Sequence, residues 1–181
     1  MPIKITIPEQ EFFNEENNEF ITVKETNLTL EHSLVSISKW ESKWHIPYLG
    51  KNEKTPEQAI DYLRCMTITQ NVNPEIYNYI PMDEVLRIKE YIEDPMTATT
   101  ITKQEGKGRS RKVLTSELIY FYMFSYNIPV EMEKWHLNRL LMLIDVFNEE
   151  NKPKKKMSKQ QVMSRNATLN AARRAQLNSL G

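Results

Sequence analysis

A single cysteine, Cys65, serves this 181-residue chain, so no intramolecular disulfide can form. Only three histidines, His32, His45 and His136, accompany it, and a zinc site would have to combine them with carboxylates. No metal or other cofactor is expected. The four glycines supply no phosphate-cradling loop: Gly106-Lys107-Gly108 is too short, and it falls at an expected hairpin tip rather than at a strand-to-helix turn. No serine occupies a nucleophile-elbow pattern either. Apolar runs stay well short of the roughly 20 residues that cross a bilayer as a helix. Met1-Pro2-Ile3-Lys4 is not followed by the apolar stretch and small-residue cleavage site of a secretory signal, so the chain is expected to remain in the cytosol of its producer.

What is present is a soluble-protein composition, 40% apolar and 27% charged, in a length that suits one core with a modest excess. Net charge is zero, but its distribution is uneven. Residues 1–31 carry seven glutamates against Lys4 and Lys24, whereas residues 151–181 carry eight lysines or arginines and no acid. An acidic head and a basic tail can attract each other within a chain or between copies, which makes a homo-oligomer one expectation.

Periodicity divides the chain. Ile3, Ile5 and Ile7 alternate, as do Ile21 with Val23 and Leu28 with Leu30, so residues 1–31 read as an acidic arm with short strands. From Ser33 the step lengthens to three and four through Leu34, Ile37, Trp40 and Trp44, giving a helix over Ser33–His45 that stops before Pro47. Thr55-Pro56-Glu57-Gln58 combines a capping hydroxyl, a proline at the first helical position and a capping-box glutamine. The helix it starts would bury Ala59, Ile60, Leu63 and Met66. Asn73-Pro74-Glu75 opens a helical turn through Tyr77, and Pro81-Met82-Asp83 opens a third helix that ends before Pro95.

A Thr-rich and then Gly-rich stretch predicts a β-hairpin over about residues 97–114, with the basic tip Lys103, Lys107, Arg109, Arg111 and Lys112. Thr115 caps a helix from Leu118 to Tyr126 that is apolar all round and is expected at the centre of the core. The strongest helical pattern covers about residues 131–148, including Trp135, Leu137, Leu140, Leu141, Leu143, Ile144 and Phe147. Ser158-Lys159-Gln160-Gln161 is a second capping box, but Val162, Leu169 and Leu177 are too sparse to hold a solitary helix, so the tail should order when docked.

Chemistry-bearing residues are scattered: His32, His45, His136, Cys65, Asp61, Asp83, Asp94 and Asp145 form no recognisable catalytic spacing. His136 and Arg139 would share a helical face and could touch one ligand, although a histidine beside a core tryptophan is the simpler reading. Tyr120 to Tyr126 could stack bases, yet an aromatic run at helical spacing is more simply core. For the tail, Lys154, Lys155 and Lys156 resemble a phosphate-neutralising patch. Arg165, Asn166, Leu169, Asn170 and Arg173, however, fall on one helical face of directional donors and acceptors, with Val162 and Arg174 beside them. Such a face suits a protein groove better than a nucleic-acid backbone.

Five blocks also carry a family likeness. "SISKWESKWHIPYL", "KTPEQAIDYLRCMT", "YIEDPMTATT", "SELIYFYMFSYNIPVEMEKWHLNRLLMLI" and "KPKKKMSKQQVMSRNATLNAARRAQLNSLG" resemble, in that order, a small tail-assembly or tail-chaperone-like protein family of tailed bacteriophages. The resemblance covers about residues 32–181. It implies a morphogenesis role and supplies no active site.

The expectation is a mainly α, α+β protein: an acidic arm (1–31), a helical core with the β-hairpin (32–150) and a basic partner-docking tail (151–181). It would bind other phage tail or baseplate proteins, as a structural subunit or as an assembly chaperone, in the cytoplasm of the infected host or in the virion tail. Neither catalysis nor membrane contact is expected. Nucleic-acid binding through the tail and the Lys107, Arg109 and Arg111 loop is the alternative.

Overall fold

Alternation of isoleucines with polar residues makes the first segment a strand, β1 (Ile3–Ile7), which pairs antiparallel with β4 (Thr26–Leu30) in the register Ile5↔Leu28. Ile5, Ile7, Leu28 and Leu30 turn one face of this ribbon into the core, while Thr6 and Asn27 bond across the other at 2.7 Å. Between them β2 (Gln10–Asn14) and β3 (Glu19–Val23) form a second antiparallel ribbon. Within residues 1–31, Ile5, Ile7, Val23, Leu28 and Leu30 thus belong to the core, whereas Phe20 is exposed. The computed structural model describes residues 2–14, 19–101, 113–151 and 158–177.

The fold is mainly helical with small antiparallel ribbons, and residues 1–148 form one compact unit. Helix α1 (Leu34–Trp44) buries Leu34, Ile37 and Trp40, and Ser36 accepts the Ser33 amide at 2.9 Å at its start. His45 closes it in the left-handed region at φ 55°, donating its amide to the Glu41 carbonyl. Helix α2 (Pro56–Met66) starts as its sequence indicates: the Thr55 amide donates to Gln58 and the Gln58 amide to Thr55.

The buried face of α2 differs from the expected one. Met66 is buried and Ile60 and Leu63 pack against the core as expected, but Asp61 and Tyr62 also point inward and Ala59 is exposed. Polar anchors rotate the helix, since Asp61 binds the Lys43 ammonium and the Trp44 indole N–H, and the Tyr62 hydroxyl meets His32. The residues after α2 then run along β4, where the Glu31 amide donates to the Met66 carbonyl and the Ile68 amide to the Thr29 carbonyl.

A 3₁₀ turn (Pro74–Tyr79) leads to α3 (Met82–Glu93), which packs on β1 and ends before Pro95. The expected hairpin of about 97–114 falls largely outside the described residues. Helix α4 (Ser116–Ser125) buries Ser116, Ile119 and Met123 alone; Phe121 and Phe124 are 60% and 63% exposed, so this helix lies at the rim of the core.

The pattern over 131–148 resolves into two pieces, a 3₁₀ turn (Val130–Lys134) and α5 (Leu137–Glu150), separated by extended backbone at Trp135. The break has a visible cause. His136 pairs with Ser33 in an isolated antiparallel bridge, and the Leu137 amide donates to the His32 carbonyl at 2.9 Å, so these residues serve a non-local contact before the helix can begin. Residues 149–181 form the second unit, which holds α6 (Lys159–Leu177). Among the described residues no helix is long and apolar enough to cross a membrane.

Candidate functional site

Helix α6 begins with the capping box its sequence encodes: the Ser158 amide donates to Gln161 Oε1 at 3.0 Å and the Gln161 amide to Ser158 Oγ at 3.2 Å. Along its 19 residues no side chain is buried, and none is acidic. At roughly 100° per residue, Val162, Asn166, Leu169 and Arg173 fall within an arc of about 60°. Asn170 and Arg165 flank this stripe on opposite sides, and Arg174 lies further round. Val162, Arg165, Asn166, Leu169, Asn170, Arg173 and Arg174 thus share one solvent-exposed helix. Lys154, Lys155 and Lys156, like Lys107, Arg109 and Arg111 of the expected hairpin, lie outside the described residues.

An amphipathic helix in a folded body gains most of its stability by burying its apolar stripe. Here Val162, Met163, Leu169 and Leu177 are all exposed, and the last of them is 76% accessible. With one to two large apolar residues per turn pair and an Arg/Asn flank, the helix offers modest hydrophobic gain and many directional hydrogen bonds. That combination suits a groove with an acidic rim.

His136 and Arg139 do not form the joint site that a shared helix would have given. Arg139 is exposed and stacks over the Trp135 ring at 4.2 Å, whereas His136 precedes the helix and is buried. Its true neighbour is His32, from the end of β4, with ring centroids 5.1 Å apart in an edge-on arrangement. His136 Nε2–H donates to the Tyr91 carbonyl at 2.9 Å, which leaves Nδ1 as a buried acceptor without a protein partner. On the other ring, Nδ1 of His32 meets the Tyr62 hydroxyl at 2.5 Å, and the His32 amide donates to the Tyr91 hydroxyl at 3.3 Å. Tyr62 stacks on Tyr48 at 4.0 Å, completing a buried aromatic cluster.

Burial, with a smaller contribution from His136, pushes the His32 imidazole down to about 3, and burial also lowers His136. Both rings are neutral near pH 7. The hydroxyl of Tyr62 is held far above its ordinary range by burial, so it too stays protonated. This neutral cluster ties together the end of β4, α2, α3 and the start of α5. Sequence spacing could not have found it, because its members are contributed by segments dozens of residues apart. The one visible signal was that His32 and His136 each stand beside the start of an apolar helix.

Among the described residues no group of three or more His, Cys, Asp or Glu side chains is placed to hold a metal ion. Cys65 is half-buried, and burial raises its thiol, with Asp61 adding to the effect. Such a thiol is protonated near neutrality and is a poor nucleophile. No protein-family model, curated protein or solved structure matches this chain.

Proposed function

We propose that this chain is a tail or baseplate morphogenesis protein of a tailed bacteriophage, which acts by binding other proteins rather than by catalysis. The observation that carries the reading is α6: a capped, acid-free helix of 19 residues, none of them buried. A helix of that composition is stabilised by a partner, and its Arg/Asn/Leu face supplies the recognition. The five sequence blocks that resemble phage tail-assembly proteins set the biological context. In this reading the body built around Trp40, Ile119 and Leu140 is a platform, and residues 158–177 are what the partner holds.

Removing residues 158–181 tests it. The truncated chain keeps the body's melting temperature, since no described residue of α6 is buried, while assembly of tails in infected cells fails. Infectious particles made with the truncated chain would overturn the reading. A count of copies in purified virions then separates the two versions, because a structural subunit is retained and a chaperone is absent. Titration of the full chain against duplex DNA checks the competing use of the basic tail. A steep loss of affinity between low and physiological salt, with no protein partner found, transfers the tail to nucleic acid.

A further inference from the structure

The sequence of α4 is apolar on every side, yet the fold covers only part of it. Phe121 and Phe124, three residues apart, form an exposed aromatic strip at 60% and 63% accessibility. Isolated exposed apolar residues are ordinary, but two adjacent phenylalanines on one rigid helix are the kind of patch that marks an interaction surface. Its rim is acidic. Glu117 stands one turn before Phe121 on the exposed side, and α4 carries no lysine or arginine. Tyr120 stacks on Phe124 and donates its hydroxyl to Glu133 at 2.8 Å, which brings a second carboxylate to the edge of the strip.

We propose that this strip receives α6 of a second copy of the same chain. The inference rests on the reading of α6 as a docking helix and names its partner. Charge and aromatic packing together make the choice: α6 has no acid and carries Arg173 and Arg174 beside Leu169 and Leu177, while α4 carries Glu117 beside its phenylalanines and no lysine or arginine of its own. Guanidinium groups also pack well on aromatic faces, so arginine and phenylalanine match in shape as well as in sign. The helix α3 is acidic as well, but its exposed apolar residues, Met82, Val85 and Leu86, are aliphatic and offer no ring on which an arginine can pack.

The two surfaces differ, so each copy offers one of each and the contact is head-to-tail. Such heterologous contacts build rings where the rotation closes and filaments where it does not. The receiving helix is short, at ten residues, so the interface is at the small end of specific contacts.

Sedimentation velocity on the full chain, over a range of concentrations at low salt, tests this. Wild type self-associates, and the association weakens as salt rises. Phe121→Ser with Phe124→Ser removes the receiving strip, and Arg173→Glu with Arg174→Glu reverses the tail. Each double variant weakens association at least about tenfold, as loss of central interface residues does. Neither pair of side chains is buried, and an unchanged melting temperature verifies that both variants fold. Glu117→Lys is the milder check and weakens association without touching the aromatic strip.

The decisive arm mixes the two double variants. Each retains the surface the other lacks, so together they form a one-to-one pair, although each alone is monomeric. A wild type that stays monomeric at every concentration overturns the proposal, as does a mixture that fails to pair. If wild type is monomeric and removal of residues 158–181 still stops tail assembly, the self-docking inference falls while the docking function of α6 stands.

Discussion

The carboxylate of Glu41, buried on α1, accepts the backbone amide of Ser116 at 2.7 Å, and so anchors the first turn of α4 to α1 across 75 residues of sequence. Its other oxygen accepts the Tyr48 amide, also at 2.7 Å. The anchor places a carboxylate against the first amides of a helix N-terminus, where the helix dipole favours it. Glu41→Ala leaves two buried N–H groups without an acceptor and lowers stability by about 3 kcal/mol. Glu41→Gln keeps one oxygen acceptor and loses roughly half as much. Urea denaturation of the three proteins measures both values, and equal stability of the alanine variant and wild type would refute the anchor.

His32 gives the fold a defined response to acid. Its folded pKa of about 3 lies below the ordinary 6.5, so the unfolded chain binds the proton more readily and stability rises with pH. The contribution is complete above 6.5 and is lost as pH falls from there toward 3, at a cost of about 2 kcal/mol by pH 5. Asp61, whose carboxyl is lowered, loses its own contribution only below the ordinary 3.8, so it takes no part in the change from 6.5 to 5. Melting temperatures across that interval fall for wild type and flatten in His32→Phe. An equally steep decline in the variant would assign the acid response elsewhere.

Asp61 links α1 to α2 by two bonds of unequal worth. Burial works to raise its carboxyl, and the bonds from Lys43 at 2.5 Å and from the Trp44 indole N–H at 2.9 Å outweigh it. Lys43 is largely exposed, so its ion pair adds less than about 1 kcal/mol. Asp61→Asn can still accept from Trp44 and costs about 1 kcal/mol, whereas Asp61→Ala strands the indole and costs about 2 kcal/mol. Equal cost for the two substitutions in thermal denaturation would show instead that Lys43 is the principal partner.

Helix starts were legible because their signals are local. Thr55-Pro56 with Gln58, and Ser158 with Gln161, encode caps that the structure reproduces. Helix faces were less legible, since hydrophobicity placed Ala59 on the inner side of α2, where it is exposed, and passed over Asp61 and Tyr62, which turn inward through long-range hydrogen bonds. The same limit applies to the break at Trp135. Nothing within residues 131–148 announces it, because its cause is the pairing of His136 with Ser33. For α4, an all-apolar sequence cannot say which side faces water. The α6 face was readable from spacing alone, being a property of one helix; the His32–His136 pair was not, being a property of the fold.

The bridge between Ser33 and His136 also sets an order of events during synthesis. The start of α1 cannot acquire its partner strand until about a hundred further residues have left the ribosome, which at 5–20 residues per second takes roughly 5–20 s. Through that interval the inner face of β1 and β4 has α1 and α2 available to cover it but lacks the body's last helix. The chain's most aggregation-prone period therefore ends only as α5 emerges, before α6 has been completed.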